Sequence, residues 1–166
     1  MGPIDHHTAI ESLIRLTQSE GWYRTDKFDP IHGRHVVLLE VPSDGPNKLP
    51  IEAHLEEGKR GRIIFVASIR FSDVHRTLLN RESSADLRWD IRLGLLEQCD
   101  FRFEDEDVEG GKQTTGILLA YTKIIRDSLD LNQLHESLQR LQRSYLWLSW
   151  TLQRAHERGV SAHISP

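Results

Sequence analysis

Cysteine is almost absent from the sequence, since Cys99 is the only one among 166 residues and no disulfide can form within the chain. No apolar run approaches the roughly 18 residues that span a bilayer. The polar N-terminal stretch, residues 1–8, lacks the hydrophobic segment of a secretory signal. These absences predict a cytoplasmic protein that needs neither a membrane nor an oxidising compartment.

Basic residues are too few and too scattered for a nucleic-acid-binding surface. The chain has 21 Lys and Arg against 25 Asp and Glu, which gives a formal net charge of -4 at pH 7. Binding to phosphates needs a dense basic patch, so we expect no nucleic acid and no membrane among the partners. The one dense run of charge is acidic, over residues 104–109, and is predicted to be a solvated hairpin tip.

Signatures of catalysis and of nucleotide binding are also missing. The sequence contains no G-x-S-x-G serine, no Walker loop and no G-x-G-x-x-G. Asp100 follows Cys99, and its negative charge disfavours a thiolate, so Cys99 is predicted to be a buried structural thiol. The sequence therefore predicts a protein with no catalytic residues and no cofactor.

Helical periodicity marks two stretches in the first hundred residues. Thr8 and Glu11 form a capping-box pattern that predicts a first helix over residues 8–20, after a flexible tail over 1–7. A middle helix is predicted over 85–98, because three apolar residues lie on one stripe there: Leu87, Ile91 and Leu95.

The last helix has the clearest pattern in the chain. Seven residues recur at alternating steps of three and four, as in a heptad repeat: Leu131, Leu134, Leu138, Leu141, Tyr145, Leu148 and Leu152. They predict a helix over 131–158 that Asp130 caps and Gly159 ends. Residues 160–166 are predicted to be a flexible tail.

Strands are predicted where β-branched and aromatic residues concentrate: 35–41, 51–55, 62–70, 101–103 and 115–126. Two short turns, at Asp44-Gly45 and at residues 58–61, connect the first three predicted strands into an antiparallel meander. A third turn, at residues 109–111, connects the last two strands. The predicted fold class is α+β, in the order α-β-β-β-α-β-β-α. A five-stranded, mainly antiparallel sheet packs with an N-terminal, a middle and a long C-terminal helix in a single domain over 1–166.

This order of elements resembles the small α+β fold of class I type III secretion chaperones and of YbjN-like proteins. Two stretches are similar to an archaeal and bacterial family of unknown function with that fold: SIRFSDVH at 68–75 running into 87–96, and IRDSLD at 125–130. The resemblance implies a homodimer that binds an extended segment of a partner protein. It thus implies a chaperone-like protein-binding module and not an enzyme.

Four apolar residues outside the predicted core stripes are the candidate binding residues. Leu146, Trp147 and Trp150 lie off the leucine stripe of the last helix, and Trp89 lies off that of the middle helix. Because tryptophan is over-represented at binding hot spots, these four are predicted to form a partner-binding or dimer interface. The alternative is that the last helix is sandwiched between the sheet and the first helix, which would bury them.

Three histidines carry a second hypothesis, a small metal-dependent enzyme or sensor. His32 and His35 have an H-x-x-H spacing, and His54 comes near them if the first two strands pair. No cysteine or acidic ligand stands at a matching spacing, which favours surface histidines instead. A third hypothesis is a structural subunit of a larger complex that covers the apolar end of the last helix.

Overall fold

The computed structural model describes residues 2–43 and 47–164, without the side chains of 160–164. The described residues form six strands, four α-helices and a 3-10 turn in this order: α1 (His6–Ser19), β1 (Tyr23–Asp29), β2 (Arg34–Pro42), β3 (Lys48–Glu56), β4 (Arg62–Arg70), α2 (Asp73–Leu79), the 3-10 turn (Glu82–Ser84), α3 (Ala85–Leu95), β5 (Asp100–Val108), β6 (Gly111–Ile124) and α4 (Leu131–Ile164). They group into two compact units. The first unit comprises the residues up to 67 together with 120–142, and the second comprises 68–119 together with the residues from 143 onward.

The sheet has the strand order β1-β2-β3-β4-β6-β5. The α+β class and the antiparallel meander, now β2 to β4, are confirmed. The prediction of five strands is wrong, because β1 is a sixth strand, antiparallel to β2. Its sequence, YRTDKFD, has no buried residue and no apolar alternation, since it lies at the edge of the sheet. The predicted Asp44-Gly45 turn lies outside the described residues.

The ends of the two long helices differ from the predicted ends. Helix α1 begins at His6, because the Asp5 carboxylate accepts hydrogen bonds from the backbone N–H and the hydroxyl of Thr8, at 3.0 and 2.9 Å. Asp5 is therefore the N-cap in place of the predicted Thr8. Helix α4 continues through Gly159 to Ile164, since Gly159 does not adopt the positive φ of a helix-ending glycine.

The core of the first unit lies on one face of the sheet. Along β2, β3 and β4, buried residues alternate with more exposed ones, and the buried residues of paired strands lie opposite one another. The buried residues that share this face are Val37, Leu39, Val41, Leu49, Ile51, Ala53, Leu55, Ile63, Phe65 and Ala67. The predicted stripe of α4 supplies further buried leucines to this unit: Leu134, Leu138 and Leu141. No helix among the described residues combines the length and the apolar character of a membrane span.

In the second unit, hydrogen bonds attach α2 and α3 to β6. The Asn80 side chain donates to the Thr114 carbonyl at 2.9 Å and accepts from the Thr114 N–H at 2.8 Å. The Arg88 guanidinium bridges the Leu79 carbonyl and the Thr114 hydroxyl at 2.8 and 2.9 Å. These bonds hold the start of α3. Cys99 is buried, as predicted, with its Sγ 3.3 Å from the Ser144 hydroxyl oxygen.

Candidate functional site

A groove of about 640 Å³ lies between α3 and the second half of α4, within the second unit. Its apolar lining comes from both helices: Leu87, Leu93, Trp147, Trp150 and Ala155. Its volume is within the range of ligand-binding clefts, and its walls combine apolar area with a few polar groups. We call it the α3–α4 groove.

Trp147 lies directly against α3 because Gly94 has no side chain. The indole Nε1 donates to the Asp90 carbonyl at 3.4 Å. A Cβ atom built at Gly94 would overlap the indole ring. Gly94 therefore determines where the Trp147 ring lies in the groove, with 36% of this residue still exposed.

Trp150 extends the aromatic surface one turn further along α4. The ring centroids of Trp147 and Trp150 are 5.4 Å apart, with the planes tilted by 44°. The Arg154 guanidinium lies over the Trp150 ring, 4.4 Å from its centroid, in a cation–π contact. Because Trp150 is 51% exposed, the pair presents a broad aromatic surface to solvent.

The buried residue Thr151 is also part of the groove lining. Its Oγ1 makes no hydrogen bond to any described residue. A buried hydroxyl without a partner costs about 1–3 kcal/mol. Because this oxygen is closed to solvent, an occupant of the groove does not reach it.

Opposite charges line the two walls of the groove. Asp86 and Asp90 lie on α3, whereas Arg154 and Arg158 lie on α4. No ion pair joins any of these four side chains to another described residue, although close pairs occur elsewhere in the chain, such as Arg24 with Glu40. The groove thus has an acidic wall and a basic wall, both available for pairing.

A row of three large apolar residues at spacings of four and three runs along α3 to its C-cap, Leu96, and only Leu93 among them also lines the groove. Trp89, Leu93 and Leu96 are 60%, 53% and 70% exposed. This spacing places them on one face of the helix, and we call the set the α3 seam. Isolated exposed apolar residues are common, but a contiguous row next to an aromatic groove is typical of an interaction surface.

The structure brings together part of the predicted interface. Trp147 and Trp150 line the groove, Trp89 lies on the α3 seam, and Leu146 is half-buried and outside the groove lining. The sequence reasoning missed the two charged walls. Each is a pair of like charges at i and i+4, so the shared helix face could have been read from the spacing.

The three histidines of the metal hypothesis each contact a separate carboxylate. His32, His35 and His54 place a ring nitrogen 2.7 Å from Asp29, Asp26 and Glu52, respectively. His35 is opposite Leu55 and His54 is opposite Val36, so these two histidines lie on opposite faces of the sheet. Among the described residues, no group of three or more His, Cys, Asp or Glu could hold a metal ion.

Asp26 has a lowered pKa within its own small cluster. The Tyr23 hydroxyl donates to one carboxylate oxygen, and the His35 ring is 2.7 Å from the other. These hydrogen bonds, that of Tyr23 foremost, hold the pKa of Asp26 below its ordinary value of 3.8. The same hydrogen bond raises the pKa of Tyr23 above 10.0, because ionised Asp26 favours the neutral phenol.

This cluster predicts how stability depends on pH. A lowered folded-state pKa contributes stability that is fully present above pH 3.8 and is lost as pH falls through the lower folded value. We expect Asp26→Asn to lower the free energy of unfolding by about 1 kcal/mol at pH 7, and the difference from wild type to disappear in strong acid. Urea unfolding of both proteins across pH 2–7 measures this, and a difference that persists unchanged in acid would contradict it.

Comparison with solved structures shows the fold. A crystal structure of an uncharacterized protein from Methanothermobacter thermautotrophicus matches with a TM-score of 0.70 and 21% identity, covering 88% of this chain and 97% of that chain. A crystal structure of YbjN from E. coli matches at 12% identity, covering 90% of this chain and 93% of that one. Its TM-score of 0.41 is too low to support an argument. Neither structure is described as a secretion chaperone, so that part of the resemblance stays a prediction.

Comparison with sequence families finds one family model that matches most of the chain. No curated protein matches it. A family model described as "Uncharacterized conserved protein (DUF2299)" matches residues 20–152, which include all six strands, α2 and α3. The chain therefore belongs to the DUF2299 family.

Proposed function

We propose that the protein is a cytoplasmic, non-enzymatic binding module that holds a partner polypeptide in the α3–α4 groove. The observation that carries this proposal is the pair Trp147 and Trp150, which line the groove side by side and remain 36% and 51% exposed. Aromatic side chains bury a large area on binding and dominate the energetics of interfaces. A solvent-exposed tryptophan pair is thus a costly surface that a bound partner would cover.

The polar groups of the groove support binding more than catalysis. Neither histidine nor cysteine is among its described lining residues. Its carboxylates and guanidiniums lie on different walls and do not pair, whereas an activated nucleophile needs a base within hydrogen-bond reach. The groove residues therefore favour recognition by apolar contact and charge.

A double variant tests the proposal. We expect full-length wild-type protein to select binders from a displayed library of helix-forming peptides. We expect Trp147→Ala with Trp150→Ala to weaken binding of the selected peptides at least tenfold, because the loss of a hot-spot aromatic costs about 1.4 kcal/mol or more. Isothermal titration calorimetry with the selected peptides measures the change.

The matched control removes exposed apolar residues from another surface. Phe28 and Ile31 are 48% and 86% exposed in the first unit, far from the groove in sequence. Phe28→Ala with Ile31→Ala should leave peptide affinity unchanged. The proposal fails if the library yields no binder above background, or if both double variants bind the selected peptides equally.

We also propose that the protein is a homodimer in which the α3–α4 groove stays open. The family resemblance supports the dimer, and light scattering should give twice the 19.2 kDa chain mass. Trp147→Ala with Trp150→Ala should remain a dimer. A monomeric variant would instead assign the tryptophans to self-association.

A further inference from the structure

We infer that the occupant of the α3–α4 groove is an amphipathic helix whose apolar stripe has basic residues along one flank and acidic residues along the other. This inference rests on the proposed function and specifies the partner's chemistry. Two observations carry it: the apolar surface of the groove with the adjoining α3 seam, and the two charged walls.

The walls of the groove favour a helix over an extended segment. Extended peptides bind by adding a strand to a sheet edge, where free backbone groups await partners. Here both walls are helices, whose interior backbone groups already hydrogen-bond within the helix. Within the groove, Leu93 of α3 and the tryptophan pair of α4 form an apolar surface against which the apolar stripe of a third helix can pack. The α3 seam continues this surface from Leu93 to residues outside the groove lining, with the four-and-three spacing of a helix–helix contact.

The charged walls specify the flanks of that helix. Asp86 and Asp90 are one turn apart on α3, and Arg154 and Arg158 are one turn apart on α4. A helix with Lys or Arg on one flank and Glu or Asp on the other can pair with all four side chains. A helix whose flanks have the same sign pairs with one wall and is repelled by the other.

This arrangement also determines the direction of the bound helix. Reversing a helix in the groove exchanges its two flanks, so only one direction places basic residues against Asp86 and Asp90. We therefore expect binding in one direction.

Four synthetic helical peptides test the inference. All share one leucine stripe, and their flanks are mixed Lys and Glu, all Glu, all Lys or all Gln. We expect full-length wild-type protein to bind the mixed-flank peptide about tenfold more tightly than each of the others, measured by fluorescence anisotropy at low salt. This preference should shrink at about 0.5 M salt, because exposed ion pairs are screened.

Charge reversal of one wall supplies the decisive variant. Asp86→Lys with Asp90→Lys makes both walls basic, so the preferred probe should change from the mixed-flank peptide to the all-Glu peptide. Both aspartates are exposed, and a folding defect would weaken all four peptides without exchanging their order. Circular dichroism confirms that the variant is folded.

The outcomes separate this inference from the proposed function. Equal binding of all four peptides, or an unchanged order in the reversal variant, overturns the assignment of the flanks while polypeptide binding stands. Binding of none of them, with no binder from the library, overturns both. Loss of self-association in the reversal variant would show that a second copy of the chain occupies the groove, which also overturns the inference.

Discussion

Replacing Gly94 with alanine is expected to displace the Trp147 indole from the α3–α4 groove and to abolish most peptide binding. The new methyl group would overlap the indole ring, so the ring must rotate away from α3 and give up its hydrogen bond to the Asp90 carbonyl. With one of the two tryptophans out of position, we expect the affinity for the mixed-flank peptide to fall at least tenfold.

Stability should change much less than binding. Alanine is preferred to glycine inside a helix by about 1 kcal/mol, whereas overpacking costs about 1–3 kcal/mol. Because Trp147 is partly exposed and can turn toward solvent, we expect the overpacking cost to be at the lower end and the net change to lie within about 1 kcal/mol.

A second helix glycine is the matched control for Gly94→Ala. At Gly159 the nearest atom to an added Cβ is 3.8 Å away, on the flexible Arg81 side chain. Gly159→Ala should therefore leave peptide binding unchanged and raise stability slightly. Anisotropy titrations and urea unfolding of both variants measure the two effects. Unchanged peptide affinity in Gly94→Ala would show that the Trp147 position does not matter for binding.

Replacing Gly61 with alanine is expected to cause the largest loss of stability, about 3–5 kcal/mol. Gly61 has a φ of +66°, which strains any residue with a side chain, and its carbonyl accepts a 2.6 Å hydrogen bond from the Ile125 N–H. A Cβ atom at Gly61 would overlap the Ile125 carbonyl oxygen, which in turn accepts a hydrogen bond from the Ile4 N–H. Backbone atoms cannot rotate away, so the contact between these segments must open.

Gly58 lies in the same turn, and replacing it separates the cost of backbone strain from the cost of the steric overlap at Gly61. Its φ is +76°, but nothing lies within 4 Å of an added Cβ atom. Gly58→Ala should thus cost only the strain of the left-handed backbone, about 1–2 kcal/mol. Urea unfolding of the two variants gives the difference, and equal losses would contradict the role of the Gly61–Ile125 contact.

Local patterns in the sequence predict most of the fold, because helices and strands differ in the spacing of their apolar residues. The leucine stripe of α4 is buried at Leu134, Leu138, Leu141, Leu148 and Leu152, and the meander strands occur where β-branched residues concentrate. Strand β1 shows the limit of this approach. Backbone pairing with β2 forms it, and none of its side chains is buried, so its sequence carries no periodic signal.

Only part of the candidate site could be predicted from the sequence. Trp147 and Trp150 stand out because they lie off a stripe that leucines already fill. That Gly94 admits the Trp147 ring depends on how two helices distant in sequence pack, which no local pattern shows. That the acidic and basic walls face one another also depends on how these two helices pack, so no local pattern shows it.

The acidic run predicted to be a hairpin tip has a different place in the structure. Residues 104–108 belong to β5, and only 109 and 110 separate β5 from β6. Because β5 is an edge strand, its carboxylates are distributed along a border of the sheet. A few of them contact other strands of the sheet, as Glu106 does with Arg70 of β4 at 3.5 Å.

We expect this border to affect the colloidal behaviour of the protein. Strand edges expose unpaired backbone groups, and mutual repulsion between acidic edges prevents two molecules from joining their sheets. The repulsion depends on ionised carboxylates, so it weakens in acid and at high ionic strength. Concentrated solutions should therefore be handled near neutral pH and at low salt, where the acidic border best resists edge-to-edge aggregation.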